Sequence, residues 1–158
     1  MPTMSRSEAE DILYREALLL DERRYRDWLE MFSEPATYWI PCNGAGTDPN
    51  REVSLIFDDL LKLRDRIDRL ISGLAHAQNP PSKTNRLVSN VRVESAAEIG
   101  VKVSSGFILY ELRRHKERVY SGRYEHSLVL IDEQWKIANK KVMLVNNDEV
   151  IDNLTFIV

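Results

Sequence analysis

The stretch RVYSGRYEHSLVLI, residues 118–131, decides the fold, because its polar and apolar side chains alternate. Alternation with a period of two is typical of a β-strand with one face on a core and the other in solvent. The same alternation recurs in RLVSNVRVES (86–95), VKVSSGFILYEL (101–112) and WKIANKKVMLV (135–145). The separators, around Ala96–Gly100, Arg113–Glu117 and Asp132–Gln134, are short enough for hairpins. We therefore predict a meander of four antiparallel strands.

Upstream of these runs the period changes to that of a helix. We predict a first helix over Glu8–Leu20, with Ser7 as its cap and Glu10 completing a capping box. A second helix is predicted over Glu22–Met31, where the aromatic residues recur every three or four positions and share one face. The charged residues of this helix then lie on its other face, where they contact solvent or pair with one another.

A hairpin and a third helix follow. ATYWIP (36–41) is aromatic and β-branched, and EVSLIF (52–57) can return antiparallel to it after a long turn. Apolar residues then recur at helical spacing over 59–72, with Asp59 suited to the N-cap and Gly73 to the stop. Helices first and a meander afterwards predict an α+β fold, in which the helices cover one face of a strongly curved, mostly antiparallel sheet.

Composition narrows the class of protein. The 158 residues are 43% hydrophobic and 30% charged, which is enough for one compact domain, and we expect a single domain over residues 1–158. A net charge of −3 gives no basic field for nucleic acid. No run approaches the ~20 apolar residues of a membrane helix. With Cys42 as the single cysteine, we expect a cytoplasmic protein without nucleic-acid or membrane partners.

The residues that could hold a metal are few and scattered. His76, His115 and His126 form no His-x-x-x-His pair, so we expect no metal site in this chain. A Rieske centre needs two cysteines and two histidines, and one cysteine cannot supply it. The basic run RRHKER (113–118) is interpreted as a solvated hairpin tip.

Two apolar features exceed what a plain domain requires. The segment VIDNLTFIV (150–158) is largely apolar, and Tyr38 and Trp39 place aromatic surface on an early strand. Both could contact another protein, since aromatic residues are enriched at interface centres, or both could be ordinary core. The sequence leaves these alternatives open.

Four segments together resemble a known family. ILYREALLLDERRYRDWLEMFSEPATYWIP (12–41) resembles the opening of the small, or beta, subunits of aromatic-ring-hydroxylating dioxygenases. SLIFDDLLKLRDRIDRL (54–70), PPSKTNRLVSNVRV (80–93) and KKVMLVNNDEVIDNL (140–154) extend the resemblance in the same order. The short N-terminus and the SLIF segment are most similar to the benzoate-type branch, which implies an aromatic acid as substrate.

The resemblance implies a cystatin-like or nuclear-transport-factor-like cone with a mainly structural role and without catalytic, cofactor-binding or metal residues of its own. The implied partner is an alpha subunit that carries the Rieske [2Fe-2S] cluster and mononuclear Fe(II), in an α3β3 hexamer with beta–beta contacts. Electrons would come from NAD(P)H through a reductase, in some members with a ferredoxin. The candidate subunit-interface residues are Tyr38, Trp39, Arg86, Asn90, Leu154, Phe156 and Val158.

Two other classes of function fit the same fold. Cone scaffolds also serve stand-alone dehydratases, isomerases and hydrolases, and fold alone does not decide function. For such an enzyme the candidate pocket residues are Tyr14, Asp21, Tyr38 and His126, with a carboxylate or histidine as general base. A third alternative is a non-catalytic domain that assembles only with itself.

Overall fold

The computed structural model describes residues 2–42, 48–94, 100–146 and 154–158, and the predicted α+β fold is confirmed. Six strands within these ranges form one sheet in the order β2-β1-β6-β5-β4-β3. The pairs are antiparallel except for β1 and β6, which run parallel. The elements are α1 (Arg6–Asp21), α2 (Tyr25–Leu29), β1 (Phe32–Pro41), β2 (Ser54–Asp59), α3 (Leu60–Ser72), a 3₁₀ turn (His76–Gln78), β3 (Lys83–Glu94), β4 (Val101–Arg113), β5 (Lys116–Ile131) and β6 (Gln134–Leu144).

The first helix begins earlier than predicted. Its N-cap is Ser5, whose hydroxyl accepts a hydrogen bond from the Glu8 amide at 3.2 Å, while the Glu8 carboxylate accepts one from the Ser5 amide at 2.8 Å. The predicted box at Ser7 is therefore wrong. Met4, just before the cap, and Ala9, at the fourth helical position, are both buried, as in a hydrophobic staple. A cap at Ser7 would have put a charged arginine in the position of Met4.

The second helix is shorter than predicted. It covers Tyr25–Leu29, because Glu22 caps the end of α1 and Arg23 takes a left-handed conformation with φ 57°. The strand β1 is longer than predicted, since it begins at Phe32 rather than at Ala36 and includes the Ser-Glu-Pro sequence at 33–35. A register irregularity between Phe32 and Thr37 accommodates that sequence.

The β1–β2 hairpin and the third helix are confirmed. In β2 it is Ile56 that points into the core, while Phe57 lies on the exposed face. The Asp59 carboxylate accepts a hydrogen bond from the Lys62 amide at 2.8 Å and caps α3. Gly73 ends the helix with φ 77°, a left-handed conformation that glycine adopts at little cost.

The predicted meander is present as β3 to β6. Its hairpins at Arg114–His115 and Asp132–Glu133 have positive φ at both turn residues, which gives the tight turns that twisted strands require. The separator predicted near 96–100 falls largely outside the described residues. α1 packs against β3, and α3 against β1 and β2. The described part of the chain contains no helix long and apolar enough to cross a membrane.

Candidate functional site

A buried polar cluster lies where helix and sheet meet. Glu16 on α1, His126 on β5 and Lys140 on β6 are each at most 3% exposed. His126 Nε2 lies 2.8 Å from Glu16 Oε1, and Lys140 Nζ lies 3.2 Å from the same oxygen. The indole of Trp28 donates a hydrogen bond to Glu16 Oε2 at 2.9 Å. Both carboxylate oxygens are therefore paired without water.

The periodicity of each element puts these polar groups inside. On α1, Glu16 belongs to the inward stripe at helical spacing, whose other members are Leu13, Ala17 and Leu20. On β5, His126 lies on the same inward face as Tyr124 and Leu128, which are two positions away on either side. On β6, Lys140 shares the inward face with Val142 and Leu144 at the same spacing of two. A charged residue at a core position of the pattern is a sequence signal for each buried group, although it does not show which groups meet.

Electrostatics make the cluster an ion pair at neutral pH. Burial raises the pKa of Glu16, but the facing charge of Lys140 and the bonds from His126 and Trp28 outweigh it, so the pKa lies well below its usual value. Burial lowers the pKa of Lys140 to about 8, because the attraction of Glu16 only partly offsets the loss of water. The ammonium also lies 4.5 Å from the centroid of the Tyr124 ring, within cation–π distance.

A second ion pair joins α1 to β3. The Asp21 carboxylate accepts hydrogen bonds from the Arg86 amide at 2.8 Å and from the Thr84 hydroxyl at 2.9 Å. The Arg86 guanidinium, which is almost fully buried, donates to the same carboxylate and to the carbonyl oxygen of Ile157. Both carboxylate oxygens of Asp21 thus accept hydrogen bonds from Thr84 or Arg86 and orient the guanidinium.

The apolar segment 154–158 lies inside the fold. Leu154, Phe156, Ile157 and Val158 are at most 9% exposed in the single chain. The Tyr38 hydroxyl donates to the Val158 oxygen at 3.2 Å and accepts from the Val158 amide at 3.0 Å. Lys140 Nζ donates to that oxygen at 3.1 Å. Residues 154–158 are therefore covered by side chains of the same chain; residues 150–153 lie outside the described ranges.

The space around the charges is filled. The void between α1 and the sheet, lined by Glu16, Arg86, Tyr124 and Lys140 among others, is too small for a water molecule. Glu16 and His126 bond to other protein groups in this arrangement instead of lining an open cavity. The cluster ties α1, the sheet and residues 154–158 together.

The pocket residues predicted for an enzyme separate into two groups. Tyr14 is wrong, because it lies on the outer side of α1 and is 47% exposed. Asp21, Tyr38 and His126 do point inward, each held by a hydrogen bond to another part of the fold. Sequence reasoning missed Glu16 and Lys140, the two charged members of the cluster.

The interface candidates also fall into two groups. Tyr38, Arg86, Leu154, Phe156 and Val158 are buried within the chain itself.

Of the other two candidates, Asn90 lies toward solvent, whereas Trp39 is only 9% exposed. Asn90 is exposed and has φ 55° at an irregularity in the β3–β4 pairing between Ser89 and Arg92, where a left-handed residue bends the strand. Trp39 lies at the edge of an outward-facing groove, and its indole donates to the Ser54 hydroxyl at 2.8 Å.

The residues present do not fit a Rieske cluster. Among the described residues, no three histidine, cysteine or acidic side chains converge as metal ligands. His126 is hydrogen-bonded to Glu16, and the chain has one cysteine where two are needed.

These features define a cone-fold domain with a filled interior, and comparison with known proteins gives its family. Residues 15–152 match the model for ring hydroxylating beta subunits. The chain is 37% identical to the small oxygenase component of the p-cumate 2,3-dioxygenase system of Pseudomonas putida, covering 89% of this chain and 79% of that protein. It is 32% identical to the benzoate 1,2-dioxygenase beta subunit of Acinetobacter baylyi, covering 96% and 94%.

A solved structure agrees. The benzoate 1,2-dioxygenase beta subunit of Burkholderia mallei superposes with a TM-score of 0.79 at 26% identity, covering 99% of this chain and all of that one. The chain therefore belongs to the ring-hydroxylating dioxygenase beta-subunit family, as its sequence segments indicated, and the predicted cone is confirmed.

Proposed function

We propose that this chain is the structural small subunit of a bacterial aromatic-ring-hydroxylating dioxygenase, and that it assembles and stabilises the subunits that carry the iron. The filled cone carries this proposal. Where a cone-fold enzyme needs space for a substrate, this family member has an ion pair, a histidine and residues 154–158 in mutual contact. Membership in the family supplies the oxygenase context.

The partner proposed is a large alpha subunit that holds both iron centres, in an α3β3 hexamer with contacts between beta subunits. Supporting this division, the single cysteine and the scattered histidines cannot form a Rieske centre here. Electrons would reach the alpha subunit from NAD(P)H through a reductase, with or without a ferredoxin, in the cytoplasm.

The proposed substrate is an aromatic carboxylic acid. Two of the relatives are named for p-cumate and benzoate, both aromatic acids. This chain's own residues take no part in the chemistry under the proposal, so substrate choice would rest with the alpha subunit.

The outer face of the sheet is the proposed subunit contact. Leu87 on β3 and Ile108 on β4 are directly opposite each other and are 62% and 49% exposed. Exposed apolar side chains that adjoin on a sheet are typical of protein–protein contacts. Asn90 lies on an exposed part of the same sheet, and Trp39, although buried, borders an outward-facing groove. The other candidates would act by holding the cone in shape.

Co-expression tests the proposed role. The chain is produced alone and together with the large oxygenase chain encoded beside it, and each product is purified and examined by visible absorption, metal analysis and mass. We expect the chain alone to be colourless and inactive, and the co-purified complex to be coloured, iron-bearing and active. Turnover of a substrate by the isolated chain would show instead that it is a stand-alone cone enzyme.

A charge substitution tests the proposed contact. Leu87→Lys with Ile108→Lys should abolish co-purification with the large chain while the melting temperature of the isolated chain stays within a few degrees. Leu61→Lys is the matched control, because Leu61 is an equally exposed leucine on α3, at 67%. If the control disrupts assembly and the sheet variant does not, the contact lies on the helical side.

A further inference from the structure

Residues 154–158 are held in the cone mainly by side chains, not by strand pairing. The segment belongs to none of the six strands. Main-chain groups of Ile157 and Val158 are instead bonded by Tyr38 from β1, Arg86 from β3 and Lys140 from β6. Recognition of main-chain carbonyls by converging donors is how a pocket holds an extended peptide.

Two of the three groups that hold the segment also have partners elsewhere in the fold. Lys140 is paired with Glu16 at 3.2 Å, and Arg86 is held by Asp21 and Thr84. Lys140 and Arg86 therefore each keep a partner in the rest of the fold, whereas both bonds of the Tyr38 hydroxyl are to Val158. A pre-organised set of donors lowers the entropy cost of binding.

The side chains of the segment are accommodated as a ligand's would be. Phe156 contacts Tyr120 edge-on, with ring centroids 5.4 Å apart, and the Gln78 amide donates to the Thr155 hydroxyl at 2.7 Å. An open groove of about 630 Å³ runs between the segment and α3, from Asp58 to Leu74. One side of the segment therefore borders open space rather than packed core.

We propose that the cone interior is a binding site for an extended apolar peptide, and that residues 154–158 occupy it as a ligand supplied by the same chain. Tyr38, Arg86 and Lys140 recognise the main-chain carbonyls, and buried apolar walls accept the side chains. The proposed structural role rests on the interior being filled, and this proposal concerns what fills it, so the peptide experiment below can fail while co-purification with the large chain still succeeds.

A binding experiment on the full-length chain tests this. Phe156→Ala with Ile157→Ala weakens the chain's own segment, and a fluorescein-labelled peptide Leu-Thr-Phe-Ile-Val is titrated in, with fluorescence anisotropy as the readout. We expect saturable binding to this variant. Binding to the unaltered chain should be at least a hundred-fold weaker, because the tethered segment competes at a millimolar effective concentration.

Two controls give the binding its specificity. The scrambled peptide Phe-Val-Leu-Ile-Thr should not bind. Adding Lys140→Met to the variant should weaken binding of the peptide about ten-fold or more, which corresponds to the loss of a hydrogen bond from a charged donor. Adding Lys102→Met should not weaken binding, because Lys102 is an exposed lysine on β4. A folded variant that binds neither peptide, or both equally, overturns the proposal.

Hydrogen exchange on the unaltered chain decides the matter if the variant does not fold. The Val158 amide, bonded to the Tyr38 hydroxyl at 3.0 Å, should exchange at least a hundred-fold faster than the amides of Leu109 and Tyr124 in the central strands. Tyr38→Phe should speed exchange at Val158 alone. Equal protection of all three amides would make the segment an integral part of the core and refute its role as a ligand.

Discussion

Replacing Lys140 by methionine removes the cation from the buried cluster and keeps most of the stem. Glu16, at 3% exposure, would then retain its bonds from His126 and Trp28 but lose the charge 3.2 Å away. The adjoining void is too small for a water molecule, so solvent cannot replace the ammonium. Breaking one side of a buried ion pair costs about 3–5 kcal/mol, a large part of the ~5–15 kcal/mol that stabilises a typical domain.

Urea denaturation followed by tryptophan fluorescence measures this cost. With a slope of roughly 1–3 kcal/mol per molar urea, the midpoint should fall by about 2 M. The double variant Glu16→Gln with Lys140→Met should recover at least half of the loss, because no unpaired charge stays buried. Lys102→Met, the exposed control, should change the free energy of unfolding by less than about 0.5 kcal/mol. A loss below about 1 kcal/mol for Lys140→Met, or a double variant no better than the single, would refute the reasoning.

Three further changes test other parts of the fold. The pKa of Glu16 is lowered from the 4.5 of the unfolded chain, so this group contributes stability above about pH 4.5 that is lost as the pH falls. When the urea midpoint is plotted against pH, Glu16→Gln should therefore show a smaller decrease on the acid side than the unaltered chain. An unchanged slope would contradict this. Ser5→Ala should lower the free energy of unfolding, measured by thermal denaturation, by about 1 kcal/mol, and Ser7→Ala should change it almost not at all. A larger effect of Ser7→Ala would show that Ser7 is the cap, as predicted from the sequence. A Cβ on Gly122 would lie 2.1 Å from the Met143 carbonyl oxygen. Gly122→Ala should therefore lower the free energy of unfolding, measured by urea denaturation, by more than about 2 kcal/mol. A midpoint like that of the unaltered chain would show that the strands separate easily there.

Much of the fold could be predicted from sequence because local and tertiary preferences agree in it. Asp59 caps the start of α3 and Gly73 ends it, as predicted. In β5 the buried positions alternate over residues 120–129, whereas Val119, Leu130 and Ile131 are exposed. The errors arose where local signals were ambiguous. Both Ser5 and Ser7 precede a glutamate by three positions, and burial of Met4 decided between them.

The polar cluster could not be predicted because its members come from three distant parts of the chain. Glu16 and His126 are 110 positions apart, and charged side chains at core positions are usually interpreted as surface. Helical spacing placed Glu16 on the same stripe as Leu13 and Leu20, but only the tertiary structure shows the partners that make its burial tolerable. The same is true of residues 154–158, whose apolar character predicted that they would be covered without showing by what.

The buried charges have a further consequence for how the cone is built. An ion pair of this kind contributes little net stability, since desolvation offsets most of the attraction, and apolar side chains of similar size would serve a plain core as well. Lys140, however, bonds Glu16 on α1 and the oxygen of Val158 at once, at 3.2 and 3.1 Å. In any other register residues 154–158 would lose the bond from this charged donor, and such a bond contributes about 1.5–3 kcal/mol. The cluster thus favours one register of the segment, and a subunit that supports others in a fixed geometry benefits from a single arrangement.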